Sequence, residues 1–329
     1  MKIGMLSAAH VHAASYAERL TQIDGVDFAG VWDDDQARGQ AFASRFGTRF
    51  FPAPEALLAE HLDGVIICAE NVRHRPLTEL AAPATRYILC EKPIATTLED
   101  AQAMIDVCAA HGTRLQIAFP VRFVPAVQQL KQLLDQQALG RIYSLKTTNH
   151  GTMPGGWFTD PALSGGGAVL DHTVHVVDLL RWFWGAEVTE VYAEIGYGLL
   201  HEGVTIDDAG MLSFKLSTGA YGTLDTSWSR PKAFPTWGDV TIEVLGENGV
   251  VRLDAFRQHL DVYSNRTGKA EWVSWGSDMD LALLQDFVSA IGEGREPSIT
   301  GYDGLKALEV ALAAYRSAKA GETVRLAAG

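Results

Sequence analysis

Residues 2–33 read KIGMLSAAHVHAASYAERLTQIDGVDFAGVWD. A short apolar run, Lys2 to Leu6, leads through a turn of small residues into an amphipathic stretch, and then into a second apolar run, Asp27 to Trp32, that ends on Asp33. Strand, turn, helix, strand and acid is the opening of a doubly wound parallel sheet. There a dinucleotide's pyrophosphate rests on the first helix N-terminus and the acid accepts from ribose hydroxyls. The glycines that let the backbone approach the phosphates are missing: the six fingerprint positions are Ser7, Ala8, Ala9, His10, Val11 and His12. Alone, this segment fits an ordinary strand–helix turn equally well. Asp33 is followed by Asp34 and Asp35 with no adjacent Arg or Lys, a setting that repels a 2'-phosphate and favours NAD over NADP.

Outward from this segment the alternation continues, with strands expected at Gly64 to Cys68, Tyr87 to Cys90 and Arg114 to Ala118. The clearest helix is Leu98 to His111. Thr97 and Asp100 have capping-box spacing, apolar residues recur at helical period, and Gly112 can stop it. A Rossmann domain over residues 1–119 follows. Residues 120–329 change character, with strands expected at Arg141 to Thr148, Val188 to Ile195, Ala209 to Leu216, Gly222 to Trp228, Asp239 to Leu245 and Gly249 to Leu253. Ser217-Thr218-Gly219 and Gly246 to Gly249 read as hairpin turns. Helices are expected at about Val169 to Trp184 and in the final segment from Leu281 to Ala320. The fold class is α/β: an N-terminal doubly wound parallel sheet and a C-terminal α/β domain with a large open, mostly antiparallel sheet.

The composition narrows the function. The chain has 329 residues, 47% of them hydrophobic, which suits about two folded domains rather than a disordered or disulfide-stapled chain. A net charge of -13 repels a phosphate backbone, so no nucleic-acid partner is expected. No run reaches the roughly 18 apolar residues that a membrane helix needs. The start of the chain resembles a signal peptide only loosely, since His10, His12 and Glu18-Arg19 interrupt it. Three scattered cysteines, Cys68, Cys90 and Cys108, point to thiols in a reducing compartment, hence the cytoplasm.

Two stretches can carry chemistry. Glu91-Lys92-Pro93 falls where the fifth strand's carboxyl end should meet the ligand crevice, and a lysine there can stabilise a substrate alkoxide. Four residues alone describe a surface lysine before a helix-initiating proline as readily. In Gly165-Gly166-Gly167-Ala168-Val169-Leu170-Asp171-His172-Thr173-Val174-His175-Val176-Val177-Asp178, a helix at about 100° per residue puts Asp171, His175 and Asp178 on one face. An imidazole oriented by an aspartate one turn earlier suits a general base near neutral pH; a capped core histidine is the alternative. Trp157, in a Gly-Gly-Trp-Phe loop, is a candidate substrate contact. His10, His12, His172 and His175 show no metal-ligand spacing, so no metal is expected.

Together these motifs resemble the Gfo/Idh/MocA family of NAD(P)-dependent oxidoreductases, over nearly the whole chain. The resemblance rests on Glu91-Lys92-Pro93, the triple glycine with Asp171, His175 and Asp178, Leu179-Leu180-Arg181-Trp182, and Asp303-Gly304-Leu305-Lys306-Ala307-Leu308-Glu309. It implies a dehydrogenase acting on a sugar, polyol or cyclitol, assembled as a homodimer or homotetramer through the open sheet, with its site between the two domains. Lys92, Asp171 and His175 take the catalytic roles: His175 the acid/base, Lys92 beside nicotinamide and substrate, and Asp171 supporting proton transfer. Ala69, Asn71, His74, Glu91 and Arg122 match cofactor-contacting positions, beside residues 7–12 and Asp33. Asn149, Trp157 and His172 are expected near substrate, with His150 and the Asp207-Asp208 and Trp237 loops setting specificity. Two alternatives carry the same motifs: a glycosidase that uses NAD for transient oxidation, and a non-catalytic cofactor-sensing relative.

Overall fold

The computed structural model describes residues 1–234, 236–274 and 276–327. The chain forms two compact units. The first holds Met1–Pro120, Ala162–Gly165 and Asp280–Leu308; the second holds Val121–Pro161, Gly166–Met279 and the chain from Glu309 onward.

Among the described residues, the strands of the first unit are β1 (Lys2–Leu6), β2 (Asp27–Trp32), β3 (Phe50–Phe51), β4 (Gly64–Ile67), β5 (Tyr87–Cys90) and β6 (Arg114–Ile117), forming a parallel sheet in the order β3-β2-β1-β4-β5-β6. The order reverses at β1, so the turns after β1 and β4 open the crevice where such sheets take ligands. Strands β4 and β5 are buried at every residue, which is why they read as unbroken apolar runs rather than as alternation. The Leu98–His111 helix starts on Thr97, whose side chain accepts from the Asp100 amide at 3.1 Å, and ends on left-handed Gly112. Strand β3 has two residues, too few to show any period.

The structure departs from the expected single boundary after residue 119. The final segment is two helices, Met279–Glu293 and Gly301–Ala320, and Asp280–Leu308 returns to complete the first unit. Leu283, Leu284, Phe287 and Ala290 form its buried stripe. Gly64 leaves room for it: a Cβ there would lie 2.8 Å from Ile291 and 2.9 Å from Phe287. Asp286 accepts from Gln116 at 3.3 Å, and the Tyr87 hydroxyl donates to the Arg295 carbonyl at 3.1 Å. The apolar stripe was legible in the sequence, but not which sheet it covers.

In the second unit, β7 (Ile142–Gly151), β8 (Val188–Tyr197), β9 (Asp207–Leu216), β10 (Tyr221–Ser227), β11 (Gly238–Gly246) and β12 (Gly249–Asp254) precede a hairpin of β13 (His259–Ser264) and β14 (Lys269–Ser274), and β15 (Val324–Arg325) closes the chain. Among the described residues, seven of these pair in the order β12-β11-β7-β10-β9-β8-β15, antiparallel except for β7 with β10. Both expected turns join neighbours, β9 to β10 and β11 to β12. One face is covered by the Ala168–Trp184 helix, and the register puts Tyr192, Met211, Tyr221 and Leu245, all exposed, on the other. Among the described residues, no helix is long and apolar enough to cross a membrane.

The N-terminus of that covering helix is held by Asp207. Its carboxylate accepts from the Gly167 and Val169 amides, each at 2.8 Å, and from the Tyr315 hydroxyl at 2.8 Å. Gly167 is required here, because a Cβ would stand 1.9 Å from the Asp207 carbonyl oxygen. Burial pushes the Asp207 carboxyl up, against the pull of these donors. Asp208 is buried and accepts from the Leu199, Leu200 and His201 amides. The Asp207-Asp208 pair, expected to shape a substrate pocket, is instead a backbone anchor. Asp207→Ala orphans two buried amides and is expected to lower the unfolding free energy by about 2 to 3 kcal/mol in urea titrations. An unchanged midpoint would show that solvent or Tyr315 satisfies them.

Candidate functional site

The first unit's candidate residues gather at the carboxyl ends of β1, β2, β4 and β5. Ser7 adopts φ +68°, the left-handed conformation that glycine takes most readily. It is held there by Asp33, which accepts from the Ala8 amide at 2.7 Å and the Ser7 hydroxyl at 3.3 Å. The same carboxylate accepts from the Asp35 amide at 2.8 Å and from Arg38 Nε at 3.0 Å. Asp33 is therefore nearly buried, and a guanidinium sits on it. This corrects the expectation that the acid has no basic neighbour: Arg38, five residues on and brought round by a helical turn, also pairs with Asp34, and Arg73 pairs with Asp34 as well. Glu70 completes the group at 3.7 Å from Arg38.

His10 and His12 fall on β5's end through Glu91. His12 Nδ1 is 3.0 Å from Glu91 Oε1, and His10 Nδ1 is 3.6 Å from the same oxygen. Burial drives the His10 pKa down to about 3 against the attraction of Glu91, so its ring is neutral. Burial opposes charge on His12 too, but there Glu91 prevails and raises the pKa. Burial likewise opposes charge on Glu91, and the facing imidazoles with Lys92 hold its carboxyl below the usual range. Sequence spacing missed this cluster because Glu91 lies 79 residues from His12. Val11 is exposed beside it.

Lys92 is 4% exposed and precedes a cis peptide bond to Pro93. His74, expected to contact a cofactor, is wholly buried: its ring nitrogens lie 2.9 Å from the Pro93 carbonyl and 3.2 Å from that of Ala69, so it ties the Glu91-Lys92-Pro93 segment to the loop after β4. Burial lowers its pKa. Ala69 is buried in that loop, and Asn71 donates to the Ser164 carbonyl at 2.8 Å.

In the second unit the Ala168–Trp184 helix is buried along nearly all its length, and Asp171 and His175 are exposed by 7% and 6%. Asp171 accepts from Trp228 Nε1 at 3.3 Å and lies 3.2 Å from His172 Nε2. His172 Nδ1 is 2.9 Å from the Asn149 carbonyl, which can only accept, so the Nδ1 proton is fixed. Asn149 and His172, expected at the substrate, are both wholly buried, His172 beside Asp171 and the Asn149 side-chain amide donating to the Asp239 carbonyl at 2.9 Å. Trp157 is half-buried and stacked on Phe158 at 3.8 Å. Asp178, the third member of the polar stripe, is bound by Arg122 in a buried two-pronged ion pair, with Nε to Oδ2 at 2.7 Å. Arg122, expected near a cofactor, is thereby committed to this helix.

His150 lies on the open face of the sheet, 3.0 Å from Asp239 on β11 and 3.2 Å from Asp225 on β10, with Arg230 also on Asp239. It fastens three strands together rather than facing Asp171.

Residues 2–119 match the model of an oxidoreductase family with an NAD-binding Rossmann fold, and residues 127–252 match the GFO/IDH/MocA C-terminal domain. The chain is similar to a myo-inositol 2-dehydrogenase of Thermotoga maritima, 27% identical over 99% of this chain and 98% of that one. It is also similar to a D-apiose dehydrogenase of Paraburkholderia graminis, 28% identical over 98% and 88%. Among solved structures, GenD2 from gentamicin A biosynthesis, in complex with NAD, superposes with a TM-score of 0.90 at 26% identity, covering 100% of this chain and 97% of that one.

Burial lowers the His150 pKa, but the bond to Asp239 and the charge of Asp225 outweigh it, so the folded value exceeds 6.5. A raised folded value means that the stability His150 contributes is complete below pH 6.5 and is lost as pH climbs through the folded pKa. The gap in urea midpoint between wild type and His150→Gln should therefore be widest near about pH 6 and close toward about pH 9. A constant gap would mean that the ring contributes by packing alone.

Proposed function

Because the chain belongs to the GFO/IDH/MocA oxidoreductase family, we propose that it interconverts a hydroxyl and a ketone on a sugar, polyol or cyclitol-like ring, with a nicotinamide dinucleotide as redox partner. The observation that carries this reading is the Ala168–Trp184 helix, a buried apolar element on which Asp171 and His175 stand one turn apart and keep a small opening to solvent. Relatives named for inositol and apiose dehydrogenation support a ring or sugar substrate.

The first unit fits a dinucleotide. Its β1 turn is set by Ser7 and Asp33, and no side chain caps the first turn of the Ala13–Leu20 helix, whose amides can face a diphosphate. Residues 7–12, Asp33, Asn71 and Lys92 would hold the cofactor. When bound, the nicotinamide supplies a hydride acceptor or donor. His175 takes the hydroxyl proton as the carbon is oxidised and returns it in the reverse direction. Lys92 donates to the oxygen on which alkoxide charge develops, in a nearly dry setting where such a bond is strongest. Asp171, held by the Trp228 indole N–H, orients the substrate and the imidazole.

Three carboxylates, Asp33, Asp34 and Glu70, outnumber Arg38 and Arg73 at the end of β2, which supports NAD over NADP. The exposed apolar residues of the open sheet face support assembly as a homodimer or homotetramer.

His175→Ala and Lys92→Ala are each expected to cut turnover with NAD and a polyol at least about 100-fold. Near-normal turnover in both would overturn the reading. Asp34→Asn combined with Glu70→Gln should free the arginines and shift the NADP-to-NAD affinity ratio upward by about 10-fold or more in titration calorimetry. An unmoved ratio would assign selectivity elsewhere.

A further inference from the structure

His10, His12 and Glu91 offer three ligand atoms that lie within 4.8 Å of one another. We propose that they form a binding site for a divalent transition ion of the zinc and cobalt class. An ion at about 2.0 to 2.2 Å from nitrogen and carboxylate ligands sets those ligands about 3 to 3.5 Å apart. The His12 and His10 Nδ1 atoms already stand 3.0 and 3.6 Å from Glu91 Oε1, on either side of that spacing. Two imidazoles with one carboxylate select such ions over magnesium or calcium, which prefer all-oxygen shells.

The three ligands are built in rather than gathered from a mobile surface. Glu91 and His10 side chains are 0% and 1% exposed, and His12 is 30% exposed, so the cluster is closed behind and open on one side. That opening is the entry path and leaves coordination positions for water or an oxygen ligand, as in zinc sites that keep an exchangeable position. His10 and Glu91 each have a supporting bond. The His10 amide donates to the Cys68 carbonyl at 2.9 Å, and Glu91 Oε2 accepts from the Lys92 amide at 3.2 Å, which turns Oε1 toward the two rings. The His12 amide contacts His10 Nδ1 at 3.2 Å, a long bond that a metal–nitrogen bond replaces. No step of the proposed redox reaction uses the ion, and His10 and His12 also belong to the turn assigned to the dinucleotide, so the test below is made on the cofactor-free chain.

The test uses the full chain, stripped with chelator and titrated with cobalt chloride, then with zinc chloride in calorimetry. We expect a saturable visible cobalt band, one zinc ion per chain, and a Kd of about 10 μM or tighter. His10→Ala, His12→Ala and Glu91→Gln should each weaken binding at least about 10-fold. A wild-type protein with no saturable cobalt band overturns the site, as do variants that bind like wild type. Zinc should also shield His12, the accessible ligand of the wild-type chain, from diethylpyrocarbonate, mapped by mass spectrometry; equal modification of His12 with and without zinc overturns it too. Neither wild-type measurement depends on a variant folding.

Discussion

Asp33 is the constraint on which the first unit turns. A left-handed serine costs on the order of 1 to 2 kcal/mol, whereas a hydrogen bond to a charged acceptor contributes roughly 1.5 to 3 kcal/mol. The clamp formed by Ala8, Ser7, Asp35 and Arg38 on one carboxylate therefore holds a glycine conformation without glycine. The same bonds bind the turn after β1 to the end of β2 and to the helix that follows, so the crevice keeps its shape although the usual fingerprint is missing.

The second unit uses the same device at another place. Asp207 carries the start of the Ala168–Trp184 helix as Asp33 carries the turn, and Arg122 with Asp178 fixes its middle. A buried ion pair adds little net stability over apolar packing, yet losing one partner is costly, so its effect is to fix how this helix is rotated. Asp171 and His175 inherit that rotation. The Trp228 indole N–H then restrains the Asp171 carboxylate.

Much of this was legible in the sequence. Thr97 with Gly112 bounded a helix, the short runs Gly64–Ile67 and Tyr87–Cys90 marked buried parallel strands, and the spacing of Asp171 and His175 set them one turn apart. What stayed hidden was pairing across long separations. Arg38 on Asp33, Glu91 beneath His12, and Trp228 against Asp171 have no local period to announce them, because a side chain's partner is chosen by the packed fold. Burial was hidden for the same reason: His74, Asn149 and His172 have the chemistry of ligand contacts, and only the packing shows that they face inward.

The return of Asp280–Leu308 to the first unit bears on how the protein is made. Ser15 meets Asp280 across 265 residues, Tyr87 meets Arg295 across 208, and Gln116 meets Asp286 across 170. On a ribosome the parallel sheet emerges early, yet the helix that covers Gly64 and Tyr87 is synthesised only after residues 121–161 and 166–279 of the second unit. Until then an apolar face of the sheet is bare, and closing so large a loop is slow. Until Asp280–Leu308 is made, the nascent Rossmann unit thus exposes the kind of apolar surface that invites aggregation and chaperone binding.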